Sequence, residues 1–111
     1  MVAGAARIDE AFGALANPTR RAVIERLSRG PATVSELAEP FSMALPSFMQ
    51  HLRVLEDSGL VRTRKRGRVR TVQIRPANLK LAAGWLAKQQ NLWEKRLEQL
   101  DAYLNTMEET P

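Results

Sequence analysis

Residues 45–76 read LPSFMQHLRVLEDSGLVRTRKRGRVRTVQIRP, and this stretch decides the fold. Phe48, Leu52 and Leu55 follow one another at intervals of four and three residues. This spacing places the three side chains on one buried stripe of an α-helix. We therefore predict a helix over about residues 45–58.

A β-hairpin is predicted directly after this helix. Gly59 ends the helix, because glycine readily adopts the left-handed conformation found at helix C-termini. Residues 60–63 and 69–74 are short stretches with β-branched side chains on either side of a turn at Gly67. Two such stretches around a glycine turn are typical of a hairpin.

The sequence before this unit predicts three further helices. Apolar spacing indicates a short helix over residues 8–16. Asn17, with a proline after it, is typical of the start of a second helix, which we expect to run to about Ser28. Thr33 and Glu36 stand at capping-box spacing, which predicts the start of a third.

The order of these elements is that of a winged helix-turn-helix fold. Residues 78–107 contain no proline and predict one long helix after the hairpin. We therefore expect a mainly α-helical protein with a small β-hairpin. A single domain is expected over residues 1–111, with the helix-turn-helix at 33–58, the wing at 60–75 and the long C-terminal helix at 77–107.

The positive charge is concentrated in the first part of the chain. Residues 1–75 carry 13 Lys and Arg against 7 Asp and Glu, whereas residues 76–111 carry 4 against 5. A basic segment joined to a nearly neutral one indicates a module for a polyanion, connected to a part with another task. A merely solvated basic surface is the alternative that composition leaves open.

Composition excludes several classes of function. The chain has no cysteine and one histidine, His51, which excludes disulfides, thiolate zinc sites, cysteine nucleophiles and multi-histidine metal sites within one chain. Because no Ser-His-Asp set, carboxylate pair or phosphate-binding glycine loop is recognisable, we expect neither an enzyme nor a cofactor. No apolar run approaches the roughly 20 residues that span a bilayer, so we expect a soluble intracellular protein.

The outer side of the helix at 45–58 carries side chains suited to nucleic acid. A helix fits the major groove of DNA, and Gln50 and Arg53 have the donors and acceptors that base edges require. Ser47 can bond a base or a phosphate, and Pro46 and Met49 can make apolar contact, for example with a thymine methyl group. The alternative is an ordinary solvated helix face, which would give an outward Met49 no reason to be there.

The predicted wing is strongly basic, and its cations are Arg62, Arg64, Lys65, Arg66, Arg68 and Arg70. A hairpin concentrates this charge on a narrow projection that can reach phosphates or a minor groove. Arg68 and Arg70 share a strand face with the apolar Val72 and Ile74, so we expect the strand to leave the core partway along. A solvated charged hairpin is the alternative. We assign DNA contact to Arg64, Lys65, Arg66, Arg68 and Arg70.

Three other polar residues have two interpretations each. Arg20 and Arg21 lie at the start of the second helix, where either can contact a phosphate or form a salt bridge on the helix surface. His51 flanks the buried stripe of its helix, which favours a partly buried, hydrogen-bonded structural role over a contact with DNA.

An apolar seam with three-four spacing runs along the predicted long helix and comprises Leu79, Ala82, Leu86, Gln90, Trp93, Leu97, Leu100, Leu104 and Met107. This spacing resembles that of a coiled coil. A second apolar row holds Leu81, Trp85, Leu92 and Tyr103. A helix with two apolar sides needs two partners, which we expect to be the body of its own domain and a second subunit. Packing of both sides within one chain is the alternative. The predicted dimer contacts are Leu86, Trp93, Leu97, Leu100 and Leu104.

The chain resembles the ArsR/SmtB family of bacterial winged-helix repressors. The matching stretches are LANPTRR at 15–21, VSELA at 34–38, PSFMQHLRVLE at 46–56, SGLV at 58–61 and GR at 67–68. The resemblance implies a homodimer that represses transcription by binding a two-fold symmetric operator on double-stranded DNA. It also implies base-reading positions at Pro46, Ser47, Met49 and Gln50, and wing contacts at Arg66 and Arg68.

Two departures from the family pattern bear on function. Metal-sensing members carry cysteines in the third helix or histidines in the long helix, and this chain has neither. Metal sensing is therefore not expected. The tail, from Trp85-Leu86 through Trp93-Glu94 to Tyr103-Leu104, resembles that of the metal-independent SdpR-like subgroup. Ala44 stands where members usually have a Ser or Thr cap, which predicts a helix start that frays until DNA is bound.

These observations leave three hypotheses. The leading one is a sequence-specific, homodimeric transcriptional repressor in the bacterial cytoplasm, associated with the nucleoid through DNA, with no membrane partner and an effector that the sequence does not identify. The second is a winged-helix module whose wing binds an acidic protein. The third is an architectural protein that binds any duplex with a steep salt dependence.

Overall fold

Five α-helices and a three-stranded sheet form the structure, a computed structural model that describes the backbone of residues 2–109 and the side chains of residues 4–108. The elements are α1 (Val2–Leu15), α2 (Pro18–Leu27), β1 (Ala32–Thr33), α3 (Val34–Ala38), α4 (Leu45–Asp57), β2 (Val61–Arg66), β3 (Val69–Ile74) and α5 (Pro76–Glu109). This order confirms the predicted winged helix-turn-helix with a long C-terminal helix. The predicted domain of residues 1–111 includes Met1, Thr110 and Pro111, which lie outside the described residues.

Arginines at the start of α2 hold the end of α1. Asn17 is the predicted N-cap, and its Oδ1 accepts a hydrogen bond from the backbone N–H of Arg20 at 3.1 Å. Nε of Arg20 donates to the Ala14 carbonyl at 2.6 Å, and Nη1 of Arg21 donates to the Leu15 carbonyl at 2.8 Å. The last carbonyls of a helix lack partners within it, and they carry its negative dipole end. The two guanidinium groups therefore cap α1, a role that neither sequence-based interpretation included.

The capping box predicted at Thr33 and Glu36 is confirmed. Oγ1 of Thr33 accepts from the Glu36 N–H at 3.1 Å, and Oε1 of Glu36 accepts from the Thr33 N–H at 3.4 Å. The other carboxylate oxygen of Glu36 lies 3.6 Å from Nη2 of Arg26, which links α3 to α2. These bonds fix the first helix of the helix-turn-helix against the body.

The core forms around the predicted stripe of α4. Phe48, Leu52 and Leu55 are each at most 1% exposed. They pack with buried side chains from α1, α2, α3, the turn after α4, the sheet and the first turns of α5, namely Ala11, Ala14, Val23, Leu27, Ala32, Leu37, Leu60, Val61, Val72 and Ala82. The buried stripe thereby sets which side of α4 faces outward.

Gly59 ends α4 as predicted. Its φ is +75°, and the Leu60 N–H donates to the Leu55 carbonyl at 3.0 Å, the bond of a Schellman motif. A Cβ at Gly59 would collide with the amide of Asn78, which donates to the Ser58 carbonyl at 2.9 Å. Glycine is therefore required both for its backbone conformation and for the close approach of α5.

The sheet has one strand more than the predicted hairpin. Ala32–Thr33 pairs with Val72 and Thr71, which gives the antiparallel order β1-β3-β2. A strand of two residues after a proline has no alternating pattern, so the sequence does not reveal it. β2 also continues to Arg66, because its basic residues pair with β3 although they lack apolar alternation. Gly67, at φ +58°, is the first residue of the predicted turn.

α1 begins at Val2, six residues before the predicted start. Alanine is frequent in this extension, and it favours a helix without giving apolar periodicity. α1 packs against α5 through Phe12 and Trp85, whose ring centroids lie 5.8 Å apart at an interplanar angle of 74°. This edge-to-face pair fixes the direction in which α5 leaves the domain.

α5 extends well beyond the domain body. Its 34 residues correspond to about 51 Å at about 1.5 Å per residue. The radius of gyration is 20.2 Å, whereas a compact chain of about this length has roughly 13 Å. The second half of α5 therefore projects from the body. Within the described part of the chain, no helix combines the length and hydropathy that a bilayer crossing requires.

Candidate nucleic-acid interface

The outer side of α4 carries most of the predicted base-reading residues. Pro46, Ser47, Gln50 and Arg53 are all exposed, outside the buried stripe. Met49 differs from the prediction, because it is half-buried and packs against the core. It follows Leu45 by one helical turn, at the edge of the buried stripe. Four side chains are thus free for base contact, and Met49 can present only part of its surface.

The start of α4 lacks a side-chain cap, as expected from Ala44. The Ala44 backbone is extended, at φ −64° and ψ 146°, and no side chain accepts from the first N–H groups. Pro46 has no N–H, so the Ser47 N–H is the donor that a capping hydroxyl would satisfy.

Ala44→Ser should therefore stabilise the protein. A Ser cap contributes about 1 kcal/mol, and the melting temperature should rise by several degrees. Ala87→Ser, on an exposed turn of α5, is the matched control and should bring no increase. Equal melting temperatures for both variants in circular dichroism would show that the start of α4 needs no cap.

The wing projects its cations into solvent. The five predicted contacts, Arg64, Lys65, Arg66, Arg68 and Arg70, are all exposed. Lys65 stands directly opposite Arg70, an arrangement of like charges that an anion would relieve. Arg62 is different, because its guanidinium group is hydrogen-bonded. In the amide orientation that satisfies both side chains, the Gln73 oxygen accepts two hydrogen bonds of 3.0 Å from Arg62. Arg62 thus keeps its charge but is held against β3 at the base of the wing.

β3 leaves the core partway along its length, as the sequence predicted. The prediction concerned Arg68 and Arg70, and Arg70 is the one that lies in the strand. Val72 is buried and Ile74 is half-buried, whereas Arg70 on the same strand face is exposed. Arg68 lies in the turn rather than in the strand, so the argument from the strand face applies to Arg70 alone.

A cleft brings α4 and the wing together. It has a volume of about 440 Å³, and its lining includes Leu45, Met49, Arg68, Val69 and Arg70, together with the start of α3. Sequence reasoning identified Met49 and the two arginines but missed Leu45 and Val69. Leu45 precedes Met49 by four residues, and this spacing was a signal that could have identified it. The other predicted contacts lie outside the cleft, on the open surfaces of α4 and the wing.

His51 connects α4 with the end of α1. Nη1 of Arg20 lies 3.0 Å from Nδ1 of His51, and since a guanidinium group can only donate, Nδ1 accepts. The same arginine donates to carbonyls of α1. The half-buried, hydrogen-bonded role predicted for His51 is confirmed, and the bond links α4 to α2 and the end of α1.

The apolar surface of α5 is open. The predicted dimer contacts, Leu86, Trp93, Leu97, Leu100 and Leu104, are between 45% and 62% exposed. In the described part of the chain, the contacts of α5 with the domain body lie in its first turns and include Leu79, Ala82 and Trp85. The prediction that the body covers one side of the helix is wrong for the part of α5 beyond these turns, because this part projects past the body. Packing of both sides within one chain is excluded for the same reason.

Comparisons with known proteins agree with this arrangement. Residues 15–64 match the model of a helix-turn-helix domain family. The HTH-type transcriptional regulator Rv2034 of Mycobacterium tuberculosis is 45% identical over 71 residues, which cover 64% of this chain and 66% of that regulator. The match to the family model thus holds the helix-turn-helix and the first residues of the wing.

Other relatives carry different functional names. The transcriptional repressor SdpR of Bacillus subtilis is 25% identical over 71% of this chain and 88% of its own length. The arsenical resistance operon repressor of Staphylococcus xylosus is 33% identical over 54% of this chain and 58% of its own length. These relatives support the family without assigning the SdpR-like subgroup.

A solved structure combines high sequence identity with broad coverage of both chains. The crystal structure of an ArsR family transcriptional regulator is 62% identical, with a TM-score of 0.75, and the match covers 79% of this chain and 91% of that one. The relatives of this chain named above are regulators and repressors rather than enzymes. The chain therefore belongs to the ArsR family of helix-turn-helix transcriptional regulators.

Proposed function

We propose that this regulator is a homodimeric repressor that binds a two-fold symmetric operator in the cytoplasm and does not sense a metal. The observation that carries the proposal is the cleft in which α4 meets the basic wing. It places cations for phosphates beside a helix whose polar side chains suit base edges. A solvated hairpin or a solvated helix face would not require this convergence.

The two surfaces have different tasks in this proposal. Arg64, Lys65 and Arg66 on the wing bind phosphates, which supplies affinity and position on the duplex. Gln50 and Arg53 on α4 enter the major groove and bond base edges. Specificity then arises mainly from α4, and the wing holds it in register.

Dimerisation is supported by the open face of α5. The seam and the second row together cover about half of the helix circumference at about 100° per residue. An apolar surface of this extent on a projecting helix favours a partner, and a second copy offers the same complementary seam. Two recognition helices would then contact half-sites about one turn of DNA apart.

Independence from metal ions is supported by the available ligands. The chain has no cysteine, and its single histidine bonds Arg20 through Nδ1. Among the described residues, no group of three His, Cys, Asp or Glu side chains is placed to hold a metal ion. Addition of zinc or a chelator should therefore leave DNA affinity unchanged.

A mobility-shift experiment tests the proposal. The protein should bind DNA from upstream of its own gene in preference to a random duplex at near-physiological salt. Equal affinity for both would contradict sequence-specific repression and favour an architectural protein. No affinity for either at low salt would favour the protein-interaction module.

Gln50→Ala should relax base specificity without changing non-specific affinity. A bidentate contact to a base discriminates by about 1–3 kcal/mol, so the preference at one base pair per half-site should fall by about fivefold or more. Competition binding with single-base variants of the preferred duplex measures this. Asn91→Ala, which removes an exposed amide from α5, is the control, and identical base preferences in both variants would rule out base reading by Gln50.

A further inference from the structure

We propose that the cleft between α4 and the wing binds a thymine methyl group in the major groove, with Leu45, Met49 and Val69 as its contact residues. This inference rests on the proposed binding to a specific duplex. If it holds, the protein prefers thymine at one position of each half-site, and Val69 of the wing helps to select that base.

The apolar side chains that line the cleft are exposed to solvent, which is unfavourable for apolar surface. Leu45 is 56% exposed and Val69 is 52% exposed, and both line the cleft with the half-buried Met49. Scattered apolar residues on a surface need no explanation. Here, however, residues from two separate elements converge on one concave site.

The end of β1 opens this site. β1 pairs with β3 only at Thr71 and Val72, so Val69 and Arg70 lie beyond the last residue of β1. Among the described residues, no strand pairs with this edge of β3 before Thr71, and the edge lines the cleft together with the first turns of α4. A group that enters the cleft meets Leu45 from the helix and Val69 from the wing.

The surrounding charge selects the kind of ligand. Arg68 and Arg70 line the same cleft, so its occupant combines an apolar group with nearby negative charge. Duplex DNA offers this combination, because the thymine C5-methyl is the apolar group on its major-groove base edges and phosphates flank the groove. An acidic protein segment could also combine the two. DNA is favoured because Gln50 and Arg53, exposed on the same helix, supply the donors and acceptors that neighbouring bases need.

Replacement of thymine by deoxyuracil tests the inference, because the two bases differ only by the methyl group. The whole protein is first used to select a preferred duplex from a random library, and each thymine is then replaced in turn. Removal of the contacted methyl should weaken binding about fourfold per half-site, the effect of returning one buried methyl to water. All other replacements should change affinity by less than about twofold.

Two variants assign the effect to the cleft. Leu45→Ala and Val69→Thr change exposed side chains and should preserve the fold, and each should reduce the effect of the deoxyuracil replacement to less than about twofold. Val54→Ala removes an exposed apolar side chain of α4 outside the cleft and should keep the full effect.

The outcomes separate this inference from the proposed function. If a preferred duplex exists but no thymine methyl affects its affinity, the inference is wrong and the proposed function stands. If the methyl effect is the same in wild type, Leu45→Ala and Val69→Thr, the methyl is recognised elsewhere and the inference is also wrong. If selection yields no preferred duplex, sequence-specific binding itself fails.

Discussion

Leu97→Asp should convert the protein from a dimer into a monomer. Leu97 lies in the centre of the exposed seam of α5, and the substitution places one carboxylate from each subunit in the proposed interface. Loss of two buried leucines removes about 3–6 kcal/mol, and burial of two unpaired charges adds several more. The dissociation constant of the dimer should rise on the order of 1,000-fold or more. Sedimentation velocity at micromolar concentration measures the change.

Asn91→Asp is the matched control, because it adds the same charge to an exposed position on the polar side of the same helix. It should remain dimeric. Both variants should keep their helical circular dichroism, since neither residue contributes to the core. If Leu97→Asp stays as dimeric as Asn91→Asp, the seam is not the dimer interface.

Removal of two wing cations, by Arg66→Ala together with Arg68→Ala, should weaken binding to every duplex. A dimer loses four cations, and each phosphate contact contributes about 0.9 to the slope of log affinity against log salt. The slope should therefore become shallower by about 3–4, and affinity at about 0.1 M salt should fall on the order of 100-fold or more. Fluorescence anisotropy over a series of salt concentrations gives both values.

Lys88→Ala with Lys95→Ala removes the same charge from the polar side of α5, away from the wing. This control should leave the salt slope within about 0.5 of the wild-type value. A double wing variant with unchanged affinity would refute phosphate binding by the wing. A decrease in slope of only about 2 would indicate that a single subunit contacts the duplex.

Local signals in the sequence were sufficient to predict the helices that form the DNA-binding unit. The buried stripe of α4, the cap at Asn17 and the capping box at Thr33 each involve residues within about two helical turns of each other, and the structure confirms all three. The end of α4 at Gly59 follows for the same reason. The extended start of α1 was missed because a run rich in alanine has helix propensity without periodicity.

Contacts between distant residues were beyond the reach of such signals. β1 is defined by its pairing with Thr71 and Val72 rather than by its own two residues. The bond from Arg20 to His51 joins residues 31 positions apart, and no local pattern indicates it. The role of Val69 likewise depends on where β1 ends. Side-chain types thus indicated a polyanion site, whereas the cleft that organises it required the tertiary structure.

The uncovered length of α5 shows a different limit. Its two apolar rows were evident from spacing, but the number of turns that the body covers depends on the direction in which Phe12 and Trp85 set the helix. That direction leaves the seam from Leu86 onward exposed. The sequence analysis had assigned one apolar side of α5 to the domain body and the other to a second subunit. Because the structure leaves both sides exposed beyond the first turns, it strengthens the argument for a second subunit.

Hydroxyl-radical footprinting on DNA from upstream of the gene, combined with the mass of the complex, tests the central claim most directly. The account predicts two protected half-sites related by two-fold symmetry, centred about 34–36 Å apart along the duplex, with two protein chains per complex. A single asymmetric half-site with one chain, or protection without a fixed position, would contradict it.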